Sequence, residues 1–329
     1  MISFGAATPS RFNPGDAEAT LLRTAEDPFP HTRSIAVSSF GRGSVTDGKR
    51  APAPLRRRAS TALLAVLLGS ALAGCTAHPD PVSPPAISAT PTLFIASDST
   101  ASDYAANRYP QSGWGTFIGC ALTGVKVDNR AIGGRSTRTF IDEGRWNALR
   151  QSLKAGDTVL IQFGHNDASK SKPERFAAPE TSYRQNLVSF IADVRAAGAT
   201  PILLTPVARR SFEGEKAKAD FPEYSAIVRE LAASLNVELI DLESRSRQLL
   251  DQLGREASRA YYLHYPAGTY PAFPKGIEDD THFSEVGARH IANLVAEGLA
   301  QSAAPVARHV SADRRDLMID TPLGSSQCR

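Results

Sequence analysis

From Thr92 onward the chain alternates short apolar runs with longer stretches in which apolar residues recur at helical spacing. The runs Thr92–Ala96, Val125–Asn129, Thr158–Phe163, Pro201–Thr205 and Val237–Asp241 are rich in Val, Ile, Leu or Phe and end in polar or small residues, which predicts strands. Helical stretches separate them, around 114–122, 145–153, 181–197 and 222–235. In the last of these Tyr224, Ile227, Val228, Leu231 and Leu235 share one face. A final helix, about 285–300, opens with Ser284 as its expected N-cap. Near-continuous apolar strands alternating with helices indicate a parallel sheet covered on both faces. The pattern therefore predicts one three-layer α/β/α domain at residues 92–302, built on a five-stranded parallel sheet. Residues 303–329 are polar, rich in Arg and Asp, and show no core-forming pattern; they are expected to form a disordered tail.

The N-terminal part reads differently. Residues 1–50 are polar and without sustained periodicity. Arg56-Arg57-Arg58 then precedes the apolar run Ala62–Leu68 and the cluster Leu72-Ala73-Gly74-Cys75. A cationic start, a short apolar run and a small-residue cleavage site describe a secretory signal peptide over 51–75. The run falls short of the ~20 residues a membrane span needs. Leu-Ala-Gly-Cys resembles the lipobox of bacterial lipoproteins, which implies lipidation of Cys75; a plain secretory signal with a chance cysteine is the competing reading. Such a leader ordinarily begins near a start codon, and Met1 and Met318 are the only methionines, so residues 1–50 are read as a non-native or disordered extension. Residues 76–91, rich in Pro, Ser and Ala, make a flexible tether. The expected location is that of an exported lipoprotein on the periplasmic face of an outer membrane or at the cell surface, or otherwise that of a secreted protein.

Charge refines the picture little. Residues 1–75 carry nine Lys/Arg against five Asp/Glu, and the remainder 28 against 29. A near-neutral body offers no footprint for nucleic acid, and no such partner is expected. The three cysteines, Cys75, Cys120 and Cys328, lack metal-type spacing. Cys120 and Cys328 pair or stay separate according to compartment, and the sequence does not decide which; oligomeric state is equally silent.

Ligands of parallel α/β sheets bind at the carboxyl ends of the strands. Four polar clusters reach that rim: Ser97-Asp98-Ser99-Thr100 after the first strand, Asn129 to Ser136 after the second, Gly164-His165-Asn166-Asp167 after the third, and Asp279-Asp280-Thr281-His282 before the last helix. Together they resemble the four sequence blocks of the SGNH (GDSL-type) hydrolases. That resemblance implies a flavodoxin-like SGNH fold, a nucleophile at Ser99, and an oxyanion hole from Ser99, Gly134 and Asn166. It further implies a base at His282 supported by Asp279, with no cofactor. One departure stands in the first block, where the family's usual glycine is Ser97, which raises the question of backbone torsion at that turn.

The chemistry of these residue types agrees with the resemblance. A serine hydroxyl is a poor nucleophile until a base takes its proton, and an imidazole with an ordinary pKa of ~6.5 suits that task. Of the four histidines within the domain, His282 alone directly precedes a capped helix with carboxylates behind it. A carboxylate three residues earlier, across a turn, can reach its other ring nitrogen. Asp280 competes for this role, but a residue two positions back points away in an extended turn, which favours Asp279. Asp98 and Asp167 are expected to brace their turns. A metal site from His165, His264, His282 and Asp280 is conceivable, but the spacing is not that of a known ligand set, and none is expected.

Further strings narrow the resemblance. Ser112-Gly113-Trp114-Gly115, Gly133-Gly134-Arg135-Ser136-Thr137-Arg138 and Glu143-Gly144-Arg145-Trp146 are similar to the rhamnogalacturonan acetylesterase branch. The substrate this implies is an acetylated polysaccharide, pectin, with Arg135, Arg138, His165 and His264 as candidate substrate contacts. Arg135 and Arg138 serve equally well as surface ion pairs, His165 and His264 as packed loop residues. Rival readings are an esterase on acetylated xylan or short-chain lipids, and a carbohydrate-binding lipoprotein without catalysis.

Overall fold

A computed structural model describes residues 90–328 of the chain. The extension at 1–50, the leader with Cys75 and the tether up to residue 89 lie outside the described residues. In chain order the strands are β1 (Thr92–Ala96), β2 (Lys126–Asn129), β3 (Thr158–Gln162), β4 (Thr200–Leu204), β5 (Phe212–Glu213), β6 (Lys216–Ala217), β7 (Glu238–Ile240), β8 (Tyr262–Tyr265) and β9 (Ile277–Phe283). The α-helices are α1 (Thr137–Asp142), α2 (Arg145–Ser152), α3 (Arg184–Ala196), α4 (Pro222–Ser234), α5 (Leu242–Ala257) and α6 (Glu285–Gln301). The main sheet has the order β2-β1-β3-β4-β7, with every pairing parallel. The five strands are those the apolar runs predict, within a residue or so at each end.

Alternation along β1 divides the core into two layers. Leu93 and Ile95 face Trp114, Phe117 and the α6 residues Ala288, Ile291, Ala292, Val295 and Leu299. Phe94 and Ala96 face the opposite layer, built from Phe140, Trp146, Leu149, Phe190, Ile191, Tyr224 and Ile227. Side chains two residues apart in a strand share a face, so a five-residue apolar strand serves both layers at once. Ser284 caps α6 by accepting the Gly287 N–H at 3.1 Å. Ser136 caps α1 reciprocally with Thr139.

Three expectations change. The stretch 114–122 forms two 3-10 turns, Trp114–Thr116 and Ile118–Ala121, rather than one α-helix. The cause lies at Gly113 and Gly115, which press so closely on the backbone of Ala101 and Ser102 that a Cβ at either would sit within 2.5 Å of it. A helix would carry one of the two away from that contact. Secondly, His264, expected on a loop, lies in β8 of an antiparallel hairpin with β9. The hairpin's Tyr270 meets both Tyr109 and Tyr265 edge to face.

Thirdly, residues 303–328 are docked, not disordered. Leu317 is fully buried, as is Val306 to 4% exposure, and both join the core layer around α6. Arg289, buried within α6, pairs with Glu285 at 3.0 Å and donates to the carbonyls of Asp316, Ser325 and Gln327. Ser311 N–H donates to Ala121 O at 2.7 Å, and a disulfide joins Cys120 to Cys328. The sequence signal failed because this segment borrows its apolar partners and its buried cation from elsewhere. Leu317→Ala is expected to lower the unfolding free energy by about 2–5 kcal/mol in urea titrations, as emptying a packed site does. A change near zero would mean that the segment is not packed.

Candidate active site

The chain leaves β1 through a tight turn around a buried carboxylate. Asp98 Oδ1 accepts the Thr100 N–H at 2.9 Å and its hydroxyl at 2.8 Å, leaving Ser99 between them at the rim. Behind the turn, Gln162 Nε2 donates to Thr100 Oγ1 at 2.9 Å, while its Oε1 accepts from Trp114 Nε1 at 2.7 Å. Trp114 N–H also donates to Thr100 O. The Ser-Gly-Trp-Gly string thus braces the turn that carries Ser99. Ser97 raises no torsional problem, because Asn236 is the only non-glycine with positive φ among the described residues. Ser97 sits fully buried in ordinary backbone geometry.

Asp279 and His282 are brought together by a break in the β8–β9 ladder. Tyr262 pairs with Phe283, yet the next residue, Leu263, pairs with Asp279, so Asp280, Thr281 and His282 bulge out of register. Asp279 closes that bulge: its Oδ1 accepts the N–H groups of Thr281 at 2.7 Å and His282 at 2.9 Å. Its Oδ2 lies 2.7 Å from His282 Nδ1, and His282 Nε2 lies 3.0 Å from Ser99 Oγ. A carboxylate only accepts, so Nδ1 carries the proton and Nε2 is left to accept from the serine. Burial pushes the Asp279 carboxyl up, but hydrogen bonds from the His282 ring and backbone, with the charge of His282, hold it down at about 2.

Asp280 is directed elsewhere. Its carboxylate accepts from Arg210 Nη1 at 2.9 Å and meets His264 Nε2 at 2.7 Å. His264 is thereby held below the surface, its side chain 4% exposed. Arg210 N–H donates to Asp280 O as well, which fixes the bulge from its far side.

The glycine loop after β2 lies against the serine. A Cβ built on Gly133 would sit 3.6 Å from Ser99 Cβ, and Gly134 adopts φ 80°, a conformation L side chains rarely hold. Asn166, nearly buried, commits one amide proton to Arg135 O at 2.9 Å and keeps the other. Asp167 ties this third cluster to the second, accepting the Thr137 N–H at 3.0 Å and its hydroxyl. The structure therefore brings Ser99, His282, Asp279, Gly134 and Asn166 to one rim.

The remaining candidates fall into other roles. Arg135 pairs with Glu143 at 3.1 Å and donates to Gly133 O; Arg138 pairs with Asp142 at 3.5 Å and donates to Pro173 O. His165 is buried, 3.7 Å from Asp98 Oδ2 and packed on Phe221, and burial keeps it neutral by lowering its pKa well below the usual range. Residues without an earlier signal also contribute. Tyr104 OH donates to Ser99 O at 2.8 Å, and it opens a cavity of about 520 Å³ whose far wall is Gly324–Gln327 of the docked C-terminal segment. Arg209, after β4, is absent from the sequence reading, although the rule that loops at strand carboxyl ends hold ligands points to its loop.

Residues 98–290 match the sequence signature of the GDSL-like lipase/acylhydrolase family. The chain belongs to that family. The chain is 40% identical over 223 residues to a probable rhamnogalacturonan acetylesterase, YesY, of Bacillus subtilis (strain 168), covering 68% of this chain and 98% of that one. It is 40% identical over 220 residues to the rhamnogalacturonan acetylesterase RhgT of the same strain, covering 66% and 93%. The crystal structure of Bacillus subtilis YxiM superposes with a TM-score of 0.57 at 25% identity, over 66% of this chain and 58% of that one. The protein is a carboxylic ester hydrolase of the rhamnogalacturonan acetylesterase-like branch of the SGNH hydrolases.

One consequence concerns Asp167. Its Oδ2 is buried without a partner, and burial raises its carboxyl to about 7. Unfolded, the same group titrates near ~3.9. Between these values the folded chain binds the proton and the unfolded chain does not, so the contribution is full below pH ~4 and is lost as pH rises through 7. Asp167→Asn removes the titration. Its stability relative to the parent is expected to rise by roughly 4 kcal/mol between pH 4 and pH 8 in urea unfolding. A pH-independent difference would contradict this assignment.

Proposed function

We propose that the chain is a serine carbohydrate esterase that removes acetyl groups from a plant cell-wall polysaccharide, with rhamnogalacturonan as its substrate. The observation that carries the mechanism is the continuous relay from Asp279 through both ring nitrogens of His282 to Ser99 Oγ, with spacings of 2.7 and 3.0 Å. His282 Nε2 takes the hydroxyl proton as Ser99 Oγ attacks the acetyl carbonyl. The tetrahedral oxyanion is met by the backbone N–H groups of Ser99 and Gly134 and by the uncommitted amide proton of Asn166. As the C–O bond breaks, the imidazolium returns its proton to the departing sugar oxygen, which leaves as a hydroxyl. Water, deprotonated by the same ring, then releases acetate and restores Ser99. Asp279 stays ionised throughout, because its carboxyl lies far below neutral pH. The polysaccharide assignment is supported by the named activities of YesY and RhgT.

Ser99→Ala is expected to abolish acetate release from p-nitrophenyl acetate and from acetylated rhamnogalacturonan, by a factor of about 10⁴ or more in kcat. Asp279→Asn should cost about 10⁴ by favouring the wrong tautomer. Asn166→Ala should cost about 10²–10³, in kcat rather than KM. Equal rates on acetylated rhamnogalacturonan, acetylated xylan and short-chain lipid esters would refute the pectin substrate, while leaving the esterase standing.

Export is the second part of the reading. The Arg56–Arg58 start, the apolar run and Leu72-Ala73-Gly74-Cys75 support lipidation of Cys75. In a bacterial host fed labelled palmitate, the chain should incorporate label and sediment with membranes, and Cys75→Ser should do neither. Labelling that survives Cys75→Ser would overturn it.

A further inference from the structure

The arginines around the site are unequally committed. Arg135, Arg138 and Arg210 each pair with a carboxylate: Glu143, Asp142 and Asp280 respectively. Arg175 and Arg209 do not. Neither guanidinium has a carboxylate within ion-pair distance among the described residues, and the Nε atom of each is buried without a partner.

Arg175 adjoins the glycine loop beside Ser99, and Arg209 stands next to His165 through Phe221. Arg175 follows the third cluster; its Nη2 donates to Ser169 Oγ at 3.2 Å, and its Nη1 sits 3.8 Å from where a Cβ on Gly134 would stand. The neighbouring Gly133 is the residue pressed on Ser99. Arg209 lies over the Phe221 ring at 5.0 Å, and Phe221 packs on His165, the neighbour of Asn166. Its positive charge acts on Asp98 and His165, which lie 3.7 Å apart beside the serine turn. Asp220 is nearby but accepts only the Arg209 backbone N–H, at 3.3 Å. Two partly buried guanidinium groups thus stand near the site without a carboxylate in ion-pair contact among the described residues, Arg209 being opposed only at longer range by Asp98. A cation removed from water is costly until an anion meets it.

We propose that Arg175 and Arg209 bind the carboxylate of a uronic-acid residue flanking the acetylated hydroxyl, and so select acidic glycans over neutral ones. The proposal rests on the esterase function above and names the part of the substrate that the catalytic groups do not read. A guanidinium fork donates two parallel hydrogen bonds to a carboxylate, a geometry that a neutral sugar hydroxyl does not fill. A neutral glycan bound at the same place would leave both guanidinium groups without a carboxylate, which is discrimination by omission. Arg135 and Arg138 are poorly suited to the task, since each would have to surrender an existing carboxylate.

The test compares acetylated rhamnogalacturonan oligosaccharides with the same oligosaccharides after chemical reduction of their carboxyl groups. For the parent enzyme, reduction should raise KM by about 10–100-fold, the range of a charge-assisted hydrogen bond, with a smaller effect on kcat. In Arg175→Gln and Arg209→Gln that ratio should collapse toward one, and the lysine variants should keep part of it. A binding arm is independent of turnover. Ser99→Ala titrated calorimetrically with deacetylated acidic oligosaccharide should bind at least about tenfold more tightly than Ser99→Ala/Arg209→Gln or Ser99→Ala/Arg175→Gln. Thermal unfolding of each variant separates lost contact from lost fold, and the lysine variants stand in for any glutamine variant that fails to fold. The proposal is overturned if the parent does not distinguish native from reduced oligosaccharide. It is equally overturned if folded glutamine variants keep the distinction. If the parent releases no acetate even from p-nitrophenyl acetate, it is the esterase function that fails, and the binding arm still decides the role of the arginines.

Discussion

The hydrogen bond between Asp279 Oδ2 and His282 Nδ1 is the contact on which the site depends, and it exists because a strand is made to bulge. In regular β structure residues three apart point to opposite faces, so Asp279 and His282 would diverge. Three residues leave the β8–β9 ladder, and the other oxygen of the same carboxylate accepts the two N–H groups that the bulge exposes. One side chain therefore shapes the backbone and orients the imidazole. The ring's remaining nitrogen is aimed at Ser99 as a consequence, across a gap of more than 180 residues of sequence. Asp280, pulled outward by Arg210 and His264, holds the far side of the same bulge. Competition between the two adjacent aspartates is settled by this division of labour.

The serine side is built on a different constraint, a carboxylate with nowhere to go. Asp98 is fully buried, and burial pushes its carboxyl up while two hydrogen bonds from Thr100 pull it down. Asp167, equally buried, repeats the arrangement with Thr137. Each uses one oxygen to fix the start of a functional loop and leaves the other without a hydrogen bond. Each turn is thereby held to a single geometry, since any other would expose the carboxylate's lost hydrogen bonds. Rigid loops at strand ends are what an oxyanion site requires, because its donors must be in place before charge develops.

The parts of this plan that are local in sequence were legible in it. Five apolar runs became the five parallel strands, and the rule that ligands bind at their carboxyl ends led to Ser99, the Gly133-Gly134 loop, Asn166 and His282. Turn geometry in the sequence favours Asp279 over Asp280, but the bulge in the hairpin that positions it has no local sequence signal. What sequence could not carry was anything decided by a distant partner. The stretch 114–122 reads as a helix until Gly113 and Gly115 meet the backbone after Ser99. The segment after Gln301 reads as solvated until Arg289 and Cys120 receive it. Arg135 and Arg138 looked available only because Glu143 and Asp142 are not yet partners in a linear string.

That last case generalises into a way of weighing cations near a site. An arginine is informative to the extent that the fold leaves it unpaired, since a surface ion pair contributes little and binds nothing else. By that measure sequence proximity to the glycine loop was misleading, because helix α1 brings its own acids with it. Arg175 and Arg209, after β3 and β4, have no carboxylate in ion-pair contact among the described residues, and their Nε atoms are buried without a hydrogen bond. Burial of their Nε atoms fixes the guanidinium planes, so the entropy of holding a fork in place is already spent in folding. A charge held in this way can discriminate among glycans far better than one that must first be drawn from a salt bridge.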